Sequence, residues 1–139
     1  MSKKTLGRPI HSLEGSSLPT ILIIDDDELM RGFLRELFTR EGFEVREAEN
    51  GAAGIQAFMD EASDAVITDL YMPEADGVEV LREIRKESQE VKIVAISGGT
   101  SGGGRTDILQ VMRDLGVDRT LQKPFKPEEM VTVVKELLA

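Results

Sequence analysis

From Thr20 to the end of the chain, short apolar runs alternate with stretches of helical periodicity, and no other feature of the sequence constrains the fold as strongly. Thr20 to Ile24 (TILII) is a continuous apolar, β-branched run, the signature of a strand covered on both faces. Phe43 to Ala48, Ala65 to Thr68, Val91 to Ser97 and Thr120 to Gln122 read as four more strands. Between them, apolar residues recur at spacings of three and four. Leu29, Phe33, Leu34, Leu37 and Phe38 mark the first helix, and Ala52, Ile55, Phe58 and Met59 the second. Val78, Leu81 and Ile84 or Arg85 mark a third that starts near Asp76, and Ile108, Leu109, Met112 and Leu115 a fourth. Met130, Val133, Val134, Leu137 and Leu138 give the fifth its buried stripe. Gly42 and Gly116 close the first and fourth helices, and Pro127, followed by Glu128 and Glu129, opens the fifth. Five strands alternating with five helices predict an α/β fold, a doubly wound parallel sheet with right-handed crossovers and helices on both faces. That domain spans residues 20–139. Residues 1–19 have no period and read as a flexible arm, in which the single histidine, His11, is solvated.

The rest of the composition mainly excludes. With 139 residues and a formal net charge of −9, one acidic domain is expected, repelled by phosphate backbones and anionic lipid. Nucleic acid and membrane are therefore not expected partners. There is no cysteine, hence no disulfide and no thiolate chemistry. No apolar run reaches membrane-spanning length, and no signal-peptide core precedes Ile21, so a soluble, cytoplasmic protein is expected.

Ligand sites in doubly wound sheets lie beyond the carboxyl ends of the strands. Asp25, Asp26 and Asp27 follow the first run, Asp69 the third, Ser97 and Gly98 close the fourth, and Lys123 follows the fifth. Clustered carboxylates suit a hard divalent cation such as Mg²⁺, while a hydroxyl and an ammonium suit an anion held by the same cation. Together they describe a phosphoryl site in which one carboxylate attacks phosphorus and becomes an acyl phosphate. Asp27, with Glu28, is better placed to cap the first helix.

In order, IIDD at 23–26, ITDLYMPEADG at 67–77, AISGG at 95–99 and LQKPF at 121–125 resemble the motifs of response-regulator receiver domains, the phosphoacceptor modules of two-component signalling. Each motif alone is weak; all four at successive strand ends are specific. The resemblance implies a flavodoxin-like sheet of strand order 2-1-3-4-5. It makes Asp69 the phosphorylated aspartate. It makes Asp25 and Asp26 the acidic pair for Mg²⁺, with Asp26 the more direct ligand and the backbone carbonyl of Tyr71 a third. Ser97 matches the hydroxyl that senses the phosphoryl group, and Lys123 the lysine that pairs with its oxygen. Pro73 and Gly77 match the turn after the acceptor, and Pro124 the proline that is cis in the family. Gly98 matches the small position that admits the donor. The implied partners are a histidine kinase or histidine phosphotransfer protein as donor, and a downstream protein bound through the fourth helix, fifth strand and fifth helix. No small-molecule substrate beyond phosphodonors is implied, and the only catalysis is the domain's own phosphorylation and dephosphorylation. Because the sequence stops after the last helix, a single-domain regulator or phosphorelay shuttle is expected.

Two features depart from the family pattern. Many receivers carry Tyr or Phe three residues before the lysine; here Thr120 has no large ring to swing inward. The interval from Ser97 to Lys123 is also longer than the pattern, with the excess in GGTSGGGR. This glycine-rich loop is expected to transmit phosphorylation in place of the aromatic; it lacks P-loop spacing, so nucleotide binding is not expected. Two alternatives stand beside this reading. A haloacid-dehalogenase-like phosphatase would use Asp25 and Asp27 in its DxD pattern, although Glu28 and Leu29 stand where that signature has Gly and Thr. A scaffold-only receiver would need no complete acid and lysine set.

Overall fold

The computed structural model describes residues 18–70, 77–98, 110 and 112–139. Within them the strands are β1 (Thr20–Ile24), β2 (Glu44–Ala48), β3 (Ala65–Asp69), β4 (Lys92–Ser97) and β5 (Arg119–Gln122). Complete helices are α1 (Glu28–Arg40), α2 (Gly51–Asp60), α3 (Gly77–Glu87) and α5 (Pro127–Leu138). Residues 110 and 112–114 are helical and belong to α4, between β4 and β5. The strands form one parallel sheet in the order β2-β1-β3-β4-β5. This is the expected doubly wound order.

Strand composition follows position in the sheet. The central strands β1, β3 and β4 are almost wholly buried, whereas edge strands β2 and β5 keep exposed charged or polar residues. A strand covered on both faces has no polar side, so its sequence is continuously apolar. Alternate residues then feed two cores. Ile21, Ile23, Ile67, Val94 and Ile96 meet Leu34 and Phe38 of α1 and Met130, Val133 and Val134 of α5 on one face. Leu22, Ile24, Val66, Ile93 and Ala95 meet Phe58 of α2, Val80, Leu81 and Ile84 of α3, and Met112 on the other.

The helix ends carry the expected signals. After α1 the chain turns through Gly42 at φ 95°, and the Phe43 N–H bonds to the Phe38 carbonyl at 3.0 Å. The two rings then meet edge to face, with centroids 5.4 Å apart. Gly116, at φ 91°, closes α4 in the same way, with the Val117 N–H on the Met112 carbonyl at 3.1 Å. In both turns a left-handed residue satisfies a carbonyl at the helix end, which glycine does without Cβ strain.

One expectation about α1 is corrected. Leu29 and Phe33 are exposed, Leu29 at 84%, while Met30 and Leu37 pack against the core with buried Leu34 and Phe38. The buried stripe thus lies one step round the helix from the expected one. On α2, Met59 is likewise exposed, and Gly51 and Gly54 take buried places beside Phe58. A Cβ on Gly54 would come within 2.5 Å of Ile24 Cδ1, so α2 lies against the strand that leads into the acids.

Candidate functional site

β1 has β2 on one side and β3 on the other, so the chain order reverses at β1, the position beyond whose carboxyl end sheets of this kind take ligands. Ile24 is in register with Thr68, so the next residues, Asp25 and Asp69, leave neighbouring strands side by side. Both are buried, whereas Asp26 is exposed. Each of Asp25, Asp26 and Asp69 offers a carboxylate oxygen, and these three oxygens lie within 4.8 Å of one another.

Asp25 is held closely. Its backbone N–H donates to the Ala48 carbonyl at 3.1 Å, and its Oδ1 accepts from the Asp27 N–H at 2.9 Å. Its Oδ2 is buried without a hydrogen-bond partner among the described residues. Burial pushes the carboxyl up to about 6 from its ordinary 3.8; the Asp27 N–H opposes the shift, Asp69 adds to it, Lys123 opposes it and Asp26 adds to it. A buried carboxylate oxygen left unpaired is costly. Lying beside two further carboxylates, it forms an all-oxygen donor set of the kind a hard divalent cation takes.

Asp27 behaves differently. Its Oδ1 accepts from the Leu29 N–H at 2.9 Å and the Met30 N–H at 3.4 Å, capping α1. The three consecutive acids therefore split into two that face Asp69 and one that serves the helix. With its carboxylate turned to α1, Asp27 does not form the catalytic pair with Asp25 that a phosphatase of DxD type requires.

Lys123 arrives from the far side. Its backbone N–H donates to the Ser97 carbonyl at 3.0 Å, continuing the pairing of Ser97 with Gln122. The side chain reaches back so that Nζ lies 3.4 Å from Asp69 Oδ2. The Lys123–Pro124 peptide is cis. Ser97 is buried at the end of β4, and Gly98 follows it exposed. Thr120 lies within β5, in register with Ala95, a turn of the pleat below the rim, and is half-buried. The structure thus gathers Asp25, Asp26, Asp69 and Lys123 into one contact group, with Ser97 at the adjoining strand end. Tyr71 with its carbonyl, Pro73, the loop of residues 99–105 and the arm through residue 17 lie outside the described residues. Two neighbours of the site, Arg31 and Glu47, were not singled out from sequence. A basic residue one turn into the helix after an acidic strand end is the only signal, and it is weak.

The response regulator receiver domain family matches residues 21–135. Among curated proteins, the transcriptional regulatory protein ResD of Bacillus subtilis is 37% identical over 118 residues, covering 85% of this chain and 47% of its own length. The transcriptional regulatory protein SrrA of Staphylococcus aureus is 35% identical over the same shares. The chain therefore spans about half the length of the curated relatives it matches. Among solved structures, a receiver domain protein from Methanospirillum hungatei superposes with a TM-score of 0.82 at 26% identity, over 88% of this chain and 94% of that one. The response regulator protein TrrA of Thermotoga maritima, solved in complex with Mg(2+)-BeF, superposes at 0.76 with 33% identity, over 87% of this chain and all of that one.

Proposed function

This chain belongs to the response regulator receiver domain family, and from that premise we propose that Asp69 is its phosphoacceptor. It is a receiver of two-component signalling; such domains interact with histidine kinases and downstream effectors and generally bind Mg²⁺ at an acidic cluster. The observation that carries the residue assignment is the position of Asp69 itself. It ends a central strand with Lys123 Nζ at 3.4 Å and two more carboxylates within 4.8 Å.

In this reading Asp25, Asp26 and Asp69, with the Tyr71 carbonyl, would hold Mg²⁺, and the cation when bound would neutralise charge on the phosphoryl oxygens. An Asp69 carboxylate oxygen attacks phosphorus in line. The bond from phosphorus to the imidazole nitrogen of the donor histidine breaks as the new bond to oxygen forms. The Lys123 ammonium neutralises charge on the arriving group, and the Ser97 hydroxyl hydrogen-bonds to a phosphoryl oxygen. Exposed Gly98 keeps the approach open. Pro124 sets the backbone after Lys123. Water later attacks phosphorus, the bond from phosphorus to the Asp69 oxygen breaks, and inorganic phosphate leaves with the carboxylate restored, so the domain acts chemically on itself alone.

The donor is a histidine kinase or histidine phosphotransfer protein, and the phosphorylated domain engages a downstream protein through α4, β5 and α5. With Thr120 in place of an aromatic, the signal passes through the loop after Gly98. The domain works in the cytoplasm. No helix among the described residues is long and apolar enough to cross a membrane, and a net charge of −9 opposes direct contact with nucleic acid.

A phosphoryl mimic tests the assignment. Mg²⁺ with beryllofluoride raises the melting temperature of the wild-type protein by several degrees, because a ligand that binds only the folded state stabilises it. Asp69→Asn loses that rise. An equal rise in both proteins contradicts the role given to Asp69.

A further inference from the structure

Arg31 lies in the first turn of α1, where its backbone N–H bonds to the Asp27 carbonyl at 3.0 Å. Its side chain is only 15% exposed and runs back toward the acids. It does not pair with their carboxylates. Nη1 donates to the backbone carbonyl of Asp25 at 2.8 Å, and Nε donates to Glu47 Oε1 at 3.3 Å. Glu47 stands in β2, the strand beside β1, and its other oxygen accepts from Arg35 Nη1 at 2.7 Å.

These contacts complete a frame around Asp25. Its N–H is held by Ala48, its Oδ1 by the Asp27 N–H and its carbonyl by Arg31. Among the described residues only Oδ2 is without a partner. The peptide linking Asp25 to Asp26 is therefore fixed in rotation, and with it the directions in which both carboxylates leave the backbone. A guanidinium suits this task because its planar fork can span two acceptors in one rigid geometry. Glu47 has a second effect. By taking Nε it draws the guanidinium toward β2, away from the carboxylates, where it would otherwise displace the cation they are arranged to hold.

We propose that Arg31, oriented by Glu47, is a positioning residue for the cation site. It sets Asp25 and Asp26 in their ligating directions through a backbone carbonyl rather than through charge. The inference rests on the reading of this site as a Mg²⁺ centre. Residues that orient metal ligands typically change affinity by about 10- to 100-fold when altered.

Mg²⁺ titrations followed through backbone amide resonances test this directly, with the metal-free melting temperature as the control for folding. Arg31→Gln should weaken Mg²⁺ binding by about 10-fold or more. Arg31→Lys should be weakened nearly as much, because it keeps the charge and loses the fork. Glu47→Gln, which leaves Arg31 in place, should show a smaller loss and keeps the test open if the Arg31 variants melt too low to titrate. All three should approach wild-type phosphorylation by acetyl phosphate at saturating Mg²⁺, since a general loss of fold would lower the maximal rate instead. Full rescue by Arg31→Lys overturns positioning in favour of charge. Wild-type affinity in all three overturns the proposal alone, whereas a wild-type protein that takes up no Mg²⁺ overturns the reading of the site as well.

Discussion

Asp25 and Asp27 are the same residue type two positions apart, and the structure gives them opposite surroundings. Asp25 is buried with one oxygen that has no partner among the described residues; Asp27 is exposed and capped onto α1. Removing the cap in Asp27→Ala should cost about 1 kcal/mol of stability, read by urea unfolding, and leave Mg²⁺ affinity unchanged. Asp26→Asn should do the reverse, with little loss of metal-free stability and most of the Mg²⁺-induced rise in melting temperature gone. Asp25 also predicts a pH dependence. Its folded value of about 6 lies above the ordinary 3.8, so the folded state keeps a proton that the unfolded chain has released. Without metal, stability falls as pH rises through that window, and the cost is complete above about 6. Mg²⁺ requires the ionised carboxylate, so cation and proton compete. Mg²⁺ affinity should therefore drop steadily below pH about 6. Affinity that is flat from pH 7 to 5 would contradict a ligating role for Asp25.

At the scale of elements, α1 shows where periodicity is informative and where it is not. Leu34→Ala should cost about 2–5 kcal/mol, whereas Leu29→Ser should change stability by less than about 0.5 kcal/mol, both measured by equilibrium unfolding. The sequence offers Leu29, Met30, Phe33, Leu34, Leu37 and Phe38, enough apolar residues for two overlapping stripes. Only the direction in which α1 meets β1 and β2 selects between them, and that is a tertiary fact. Strands were more legible: Thr20–Ile24 has the expected bounds, and the other four differ by one residue at a single end. The apolar runs of the central strands β1, β3 and β4 stop at an aspartate, an aspartate and a glycine, and a strand covered on both faces leaves little room for charge before its end. The rim acids and Lys123 were legible because parallel topology puts every strand's carboxyl end on one side. The burial difference between Asp25 and Asp26 was not, nor was the path of Arg31 to a backbone carbonyl. Both depend on how α1 leaves the sheet.

The described residues join two apolar cores across one sheet and bring Asp25, Asp26 and Asp69 together at its carboxyl rim. The cores fix the register of β1 against β3, and that register brings Asp25 beside Asp69. On the far side, Arg85 ties α3 to the turn after α4. It donates to the carbonyls of Gly116 and Val91 at 2.7 Å each and pairs with Asp118 at 3.1 Å. Through these contacts α3, the start of β4 and the turn before β5 are parts of one packed body. The curated relatives are about twice as long, so the chain corresponds to the receiver portion of proteins of that kind. The central claim concerns one carboxylate. Incubation with acetyl phosphate and Mg²⁺, followed by peptide mapping in a mass spectrometer, should find a single added phosphoryl group on the peptide carrying Asp69, absent from Asp69→Asn. Labelling that survives Asp69→Asn unchanged, or no labelling of the wild-type protein, would contradict the account.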